Sequence, residues 1–296
     1  MFHLKKIIPF INRDCHNGPS DFGMYLFSKF NFLNTDTTSM KSYINYLSVL
    51  FISSILFVKA QEKKAFRIHS HNDYHQNIPF WNAFSNGLTS IEADVFLEND
   101  SLFVTHSKSE IVRDRTIENL YLQPIQKVID LKLGALDKLQ LLVDFKSEAY
   151  TSLNKLIATL KKYPIIINDP RISIVISGNR PKSEEYKNYP PYIHFDYQSL
   201  EKITENEQWK KIALISLNFK DFSTWNGKGK LTDTDQQRIS SVIAQAHQMN
   251  KPFRFWGVPD SKTTWKVMKE MGVDFINTDS PLESSIYLNG TNHQKY

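Results

Sequence analysis

Cysteine is all but missing from this 296-residue chain. The single Cys15 lies in an N-terminal leader, so the body that follows has neither a disulfide nor a thiolate metal ligand. Charge of one sign is also lacking once the leader is set aside. Residues 1–60 hold six Lys/Arg and three Asp/Glu, which leaves 30 basic and 28 acidic residues in 61–296, a net of +2. That balance argues against the basic footprint of a nucleic-acid-binding surface. No internal repeat or low-complexity tract is present, and the helical stretches show no strongly basic amphipathic face of the kind that lies on a membrane. Core material is plentiful: 41% hydrophobic, 13% aromatic and 23% charged residues describe a folded chain rather than a disordered one.

The leader divides in two. Residues 1–39 have no clear periodicity and read as a non-native or disordered extension. From Met40 a lysine, Lys41, precedes an apolar run from Tyr43 to Val58, and Val58-Lys59-Ala60 offers small residues for signal peptidase before Gln61. The run is short for a spanning helix of about 20 residues. Residues 40–60 are therefore expected to be a signal peptide cleaved after Ala60, giving a periplasmic or secreted protein. The alternative is a membrane anchor formed by residues 43–58.

In residues 61–296, short β-rich runs alternate with helical ones. Strands are expected over residues 66–71, 90–97, 139–146, 172–177, 192–196, 212–219, 253–258 and 275–278. Helices are expected over 79–86, 116–131, 149–162, 233–249 and 261–271, the fourth with Ile239, Val242, Ile243 and Ala246 at helical spacing. Eight such alternations fit a single-domain α/β fold, the (β/α)8 TIM barrel of about 250 residues, with a doubly wound open sheet as runner-up. Leu102 to His106 reads as an extra hairpin arm after the turn-like Glu98-Asn99-Asp100.

Ionisable pairs end the first three strands. His69 and His71 close the first, Glu92 and Asp94 sit on the second within Ile91-Glu92-Ala93-Asp94-Val95, and Asp144 and Lys146 close the third. Each pair has the i, i+2 spacing that aims two side chains one way, at the barrel end where active sites sit. Glu92, Asp94 and Asp144 would supply hard oxygen ligands for one divalent cation, magnesium or calcium. His71 and His106 would exchange protons, since an imidazole both takes and gives one near neutrality. His75 and His194 read as packed or surface residues, and His247 as solvent-exposed. Trp256 and the Trp225-Asn226-Gly227-Lys228-Gly229 loop could wall a substrate pocket, and residues 219–222 could touch membrane.

His71-Asn72-Asp73-Tyr74, Gly87 before Ile91 to Val95, Val104-Thr105-His106, Asp144-Phe145-Lys146 and the stretch from Gly272 to Asp279 together resemble the glycerophosphodiester phosphodiesterase superfamily of phospholipase C-like barrels. His71-Asn72-Asp73-Tyr74 and Arg254-Phe255-Trp256-Gly257 resemble the branch named after altered inheritance of mitochondria protein 6. The likeness spans roughly residues 66–280. It implies that His71 and His106 are the catalytic histidines, that Glu92, Asp94 and Asp144 hold the metal, and that Lys146 contacts phosphate. Asn72 stands where the bacterial enzymes usually have arginine, so it can orient a phosphate oxygen but brings no charge; Lys146 and Arg254 could supply it. The resemblance implies a phosphoric diester hydrolase, or a lyase that forms a cyclic phosphate. Its partners would be a small-molecule or lipid phosphodiester, with no nucleic acid, at most transient membrane contact, and a monomeric chain.

Two other readings are open. One is a non-catalytic barrel that binds a phosphate or headgroup. The other is a zinc amidohydrolase using His69-Ser70-His71 and Asp279, although that family needs a further histidine where this chain has Ser216-Leu217-Asn218.

Overall fold

The expected strands close on themselves. The computed structural model describes residues 66–134 and 136–290, so both leader segments and the expected cleavage site lie outside the described residues. In chain order the strands are β1 Arg67–Ser70, β2 Ser90–Glu98, β3 Ser101–Val104, β4 Leu139–Phe145, β5 Ile172–Gly178, β6 Ile193–Tyr197, β7 Ile212–Asn218, β8 Phe253–Trp256 and β9 Phe275–Thr278. The hydrogen-bonded order is β1-β9-β8-β7-β6-β5-β4-β2, and a β1–β2 pairing closes the ring. All eight barrel strands run parallel; β3 alone is antiparallel, paired with β2 through Val95 opposite Val104. The architecture is a (β/α)8 barrel with one added arm.

A period-2 pattern explains the interior. Leu142, Val175, Leu214 and Phe275, from β4, β5, β7 and β9, form an apolar cluster of their own. Two residues further along the same strands come Asp144, Ser177, Ser216 and Asn277. The barrel is thus plugged by hydrocarbon at one level and turns polar one layer nearer the carboxyl ends. Residues of the other parity, such as Ile91, Val143, Ile176 and Ile215, are fully buried in the larger core outside the ring.

The helices are α1 Trp81–Ser85, α2 Gln123–Asp130, α3 Ala149–Leu160, α4 Pro164–Ile167, α5 Asn206–Lys210, α6 Asp233–Gln248, α7 Lys262–Met271 and α8 Pro281–Asn289. Local chemistry sets the ends of the long ones. Thr232 accepts a bond from the Asp235 amide at the start of α6, and Ser261 does the same from Thr264 for α7, which Gly272 ends at φ 85°. The helix expected over 116–131 begins as one π turn, Glu118–Leu122, before α2. The short α4 and α5 and the final α8 were not expected: the first two are too brief to show a period, and α8 leaves Leu282, Ile286 and Tyr287 exposed, which blurs its apolar stripe.

Two surface expectations are narrowed. Phe219 is buried and stacks edge-on to Phe255 at 5.6 Å, with Phe222 at 5.8 Å from the same ring, so both rings pack inward while Lys220 and Asp221 between them are exposed. His247 is half-buried, its Nε2 2.7 Å from Asp274 Oδ2. No helix among the described residues is long and apolar enough to cross a membrane.

Candidate active site

Strand register brings the three carboxylates together. Asp94 of β2 lies beside Asp144 of β4, and Glu92 precedes Asp94 on the same face. One oxygen from each of Glu92, Asp94 and Asp144 lies within 4.8 Å of the others. So much buried negative charge requires partners. Arg254 Nη1 donates to Glu92 Oε2 at 2.8 Å, and Lys146 Nζ stands 3.1 Å from Asp144 Oδ1 and 3.3 Å from Asp94 Oδ2. Compensation is incomplete. Burial, with the charges of Glu92 and Asp94, pushes the Asp144 carboxyl up to about 6 despite Lys146. Glu92 behaves oppositely: burial would raise it, but the Arg254 charge and the bond to His69 hold it well below the usual carboxylate range.

Asp94 Oδ1 and Asp144 Oδ1 are buried without an aligned hydrogen-bond donor; Lys146 meets the latter as an ion pair only. Buried acceptors with no donor are rare in folded proteins, and Asp94 Oδ1 beside two further carboxylates fits a hard divalent cation. Asp144→Asn tests the site from the side of stability. A carboxyl raised to about 6 is destabilising when ionised, so its unfavourable effect is absent below the ordinary 3.8 and grows as pH rises through about 6. In chelator, Asp144→Asn is expected to be more stable than wild type at pH 8 by about 1–3 kcal/mol, with the gap closing toward pH 4. Thermal unfolding at both pH values measures it; added magnesium or calcium should narrow the gap by stabilising only the wild type.

Each expected proton-transfer histidine is anchored at Nδ1 by a carboxylate. His106, carried by the arm, has Nδ1 2.7 Å from Asp94 Oδ2, and the Thr105 amide bonds the Asp94 carbonyl. His71 has Nδ1 2.8 Å from Asp279 Oδ1, and its amide bonds the Thr278 carbonyl across to β9. Burial opposes the His71 imidazolium, but the Asp279 bond and the Glu92 charge outweigh it and raise the pKa. In both rings the carboxylate leaves Nε2 as the nitrogen for proton exchange.

The residues after His71 are mostly a scaffold. Asn72 sits in the left-handed region at φ 45° and opens a short 3-10 turn, Asp73–His75. Asp73 is buried and accepts from Ser70 Oγ at 2.8 Å, the Phe80 amide at 2.6 Å and Tyr121 OH at 3.1 Å, which fixes the loop. Tyr74 OH donates to Asp94 Oδ2 at 3.0 Å and stands 3.5 Å from Asn72 Oδ1. Tyr74 and Asp279 are neighbours of the site to which the phosphodiesterase resemblance assigned no role, although both lie inside the motifs that carry it.

Arg254 requires correction. Expected beside the phosphate, it is 2% exposed and its guanidinium is engaged within the barrel: it bonds Glu92, lies 2.7 Å from His69 Nε2, and reaches 3.5 Å from Asp196 Oδ2. Asp196, unmarked in the sequence, is buried and accepts from Ser177 Oγ at 2.9 Å and Ser216 Oγ at 2.7 Å. His69 lies in this lower layer, with Nδ1 at 2.7 Å from Ser90 Oγ and Nε2 at 2.7 Å from Glu92. Both ring nitrogens are engaged beside a guanidinium, and the potential ligand cluster among the described residues contains no histidine. That arrangement gives the zinc amidohydrolase reading no support. Trp256 ends β8 half-buried with its Nε1 unpartnered, and Trp225 Nε1 folds back on the Lys228 carbonyl at 2.9 Å.

An eight-stranded parallel barrel whose carboxyl rim carries carboxylates, a lysine and two carboxylate-anchored histidines has the form of a phospholipase C-like phosphodiesterase. Residues 59–138 match the AIM6-like phosphodiesterase domain, and residues 252–281 match the glycerophosphoryl diester phosphodiesterase family. These two stretches carry the chain's similarity to the AIM6-like phosphodiesterase domain and to the glycerophosphodiester phosphodiesterases. Altered inheritance of mitochondria protein 6 from Eremothecium gossypii is 24% identical over 261 residues, covering 72% of this chain and 67% of that protein. Its homolog from Arthroderma benhamiae is 47% identical over 68 residues, covering 21% of this chain and 22% of that one. A glycerophosphodiester phosphodiesterase structure from Parabacteroides distasonis superposes with a TM-score of 0.51 at 17% identity, over 76% of this chain and 98% of its own, a likeness of fold.

Proposed function

We propose that this chain is a metal-dependent phosphodiesterase acting on a glycerophosphodiester- or phospholipid-like substrate through His71 and His106. One observation carries the proposal: Asp94 holds His106 through Oδ2 while its Oδ1 is buried and unpartnered, and an oxygen of the same carboxylate lies within 4.8 Å of oxygens of Glu92 and Asp144. A single carboxylate thus links the proton-exchanging ring to the cation cradle. Magnesium or calcium held by Glu92, Asp94 and Asp144 would neutralise charge on a non-bridging phosphate oxygen.

The chain's own groups do the rest. One imidazole takes the proton of the attacking hydroxyl at Nε2 while the other gives one to the departing alkoxide, each contributing about 100- to 10,000-fold. Lys146 adds positive charge beside the same carboxylates, and Asn72 offers amide hydrogens but no charge. Attack by water gives two products, a phosphomonoester and an alcohol. Attack by a substrate hydroxyl two carbons away gives a cyclic phosphate and an alcohol. With residues 40–60 read as an export signal, the enzyme works outside the cytoplasm, and a mature N-terminus at Gln61 would support this.

The test is a phosphodiester panel assayed with and without chelator, with products followed by phosphorus NMR. Turnover that disappears with chelator and returns with magnesium or calcium is expected. A folded, metal-loaded protein that binds these diesters and cleaves none would instead be a headgroup-binding barrel.

A further inference from the structure

A polar cleft of about 600 Å³ opens at the same rim, beyond the carboxyl ends of β5 and β6, and no proton-transfer or metal-site residue lines it. Its floor reaches the active site at Gly178. That residue has φ 65°, and a Cβ there would stand 2.0 Å from Asp144 Oδ1, so only glycine lets the β5 turn pass against the carboxylate. The next residue ties the two walls together: the Asn179 amide bonds the Phe145 carbonyl and its side chain bonds the Ser147 carbonyl, both at 2.9 Å.

Arg180 lines the cleft and is half-buried. Its Nη1 donates to the Gly178 carbonyl at 3.1 Å, and its guanidinium hydrogen-bonds the hydroxyl of Tyr186. Tyr186 is itself buried and stacked on Phe195 with ring centres 3.7 Å apart. The fork is therefore held from two sides. No carboxylate forms an ion pair with it among the described residues, in contrast to Arg171, Arg238 and Arg254. The acid in the cleft, Glu148, is already engaged, accepting from the amides of Tyr150 and Thr151 at the start of α3. A guanidinium uses five donors, and this one has most of them unspent beside a cavity large enough for a small substituent.

We infer that this cleft is a specificity subsite in which Arg180 binds a second anionic group, a carboxylate or phosphate, carried on a substituent of the phosphodiester. The inference rests on the phosphodiesterase reading above. A charge-assisted, two-pronged contact of this kind is expected to favour the anionic substrate by about 10- to 100-fold in kcat/KM.

The test uses esters that share p-nitrophenol as leaving group and differ only in the other arm: 3-hydroxypropyl, 2-carboxyethyl and 2-phosphonoethyl. The metal-loaded protein should prefer one or both charged esters over the hydroxypropyl ester, the larger ratio showing which anion the fork accepts. Arg180→Gln should bring the ratio close to one, chiefly through KM, and Arg180→Lys should restore part of it. A wild-type ratio of one, or a ratio that Arg180→Gln leaves unchanged, overturns the inference. Should Arg180→Gln fail to fold, the lysine variant and the loss of wild-type preference with rising salt decide the matter. Should no ester be cleaved, the phosphodiesterase reading falls by itself. Calorimetric titration of the carboxyethyl and phosphonoethyl esters into wild-type and variant protein then judges the cleft alone, equal affinities counting against it.

Discussion

His106→Ala is expected to lower phosphodiester turnover by about 100- to 10,000-fold, and His71→Ala by a similar factor, with little change in stability. The separation follows from where the rings sit. The His106 side chain is 65% exposed, so its loss removes no core packing and should alter stability by no more than about 0.5 kcal/mol. His71 is less open, but its partner Asp279 is 60% exposed and can be solvated when the ring is gone. A large kinetic effect with a small thermal one is the signature of a group that touches the reaction. Because Asp94, Glu92 and Asp144 are left in place, the affinity for magnesium or calcium should be nearly intact in both alanine variants. Asp94→Asn should behave differently, weakening metal affinity because it alters the cradle itself, and it also removes a partner of His106, Tyr74 and Lys146. Full activity in His106→Ala would remove this histidine from the mechanism. The pH dependence adds a second check. The raised pKa of His71 extends its protonated form toward higher pH, and Asp279→Asn should shift the corresponding limb of the rate profile downward.

The parts that strand geometry determines could be read from the chain. Ile91 to Val95 declares itself by strict apolar/acidic alternation and Leu139 to Phe145 by its apolar-rich run, and period 2 then puts Glu92, Asp94 and Asp144 on a shared face. The arm was legible because three apolar residues follow a tight turn. Contacts made by closing the ring were not. Arg254 and Glu92 are 162 residues apart, and Arg254 and Asp196 are 58 apart, so nothing local distinguishes these pairs from surface charges. Asp196 occupies an ordinary alternating strand, Ile193–Tyr197, in which the inward parity is visible but the partners across the barrel are not. Tyr74 was hidden differently: its hydroxyl works from a 3-10 turn whose left-handed entry at Asn72 no periodicity announces.

Arg254→Met is expected to destabilise the protein by about 3–5 kcal/mol, because it leaves Glu92 and Asp196 buried without their shared cation. The residue is 2% exposed and lies within a layer that the apolar plug of Leu142, Val175, Leu214 and Phe275 seals from below, so water cannot replace it readily. In the wild type the guanidinium holds Glu92 well below its ordinary 4.5, so this pairing stabilises the fold at any pH above that value and is lost only as pH falls through the depressed one. Without Arg254 the Glu92 carboxyl should titrate in a higher range, and the deficit of the variant should shrink as pH is lowered and the carboxylates take up protons. Arg254→Lys should recover only part of the loss, since one ammonium cannot present separate nitrogens to Glu92 and Asp196 as Nη1 and Nη2 do. Chemical denaturation with and without magnesium or calcium distinguishes this role from simple packing. A cation bound to Glu92 replaces part of the missing charge, so the deficit of Arg254→Met should be larger in chelator than in metal, whereas a lost packing contact would respond to neither. Equal stability of wild type and Arg254→Met in chelator would mean that the buried carboxylates do not depend on this guanidinium for their charge.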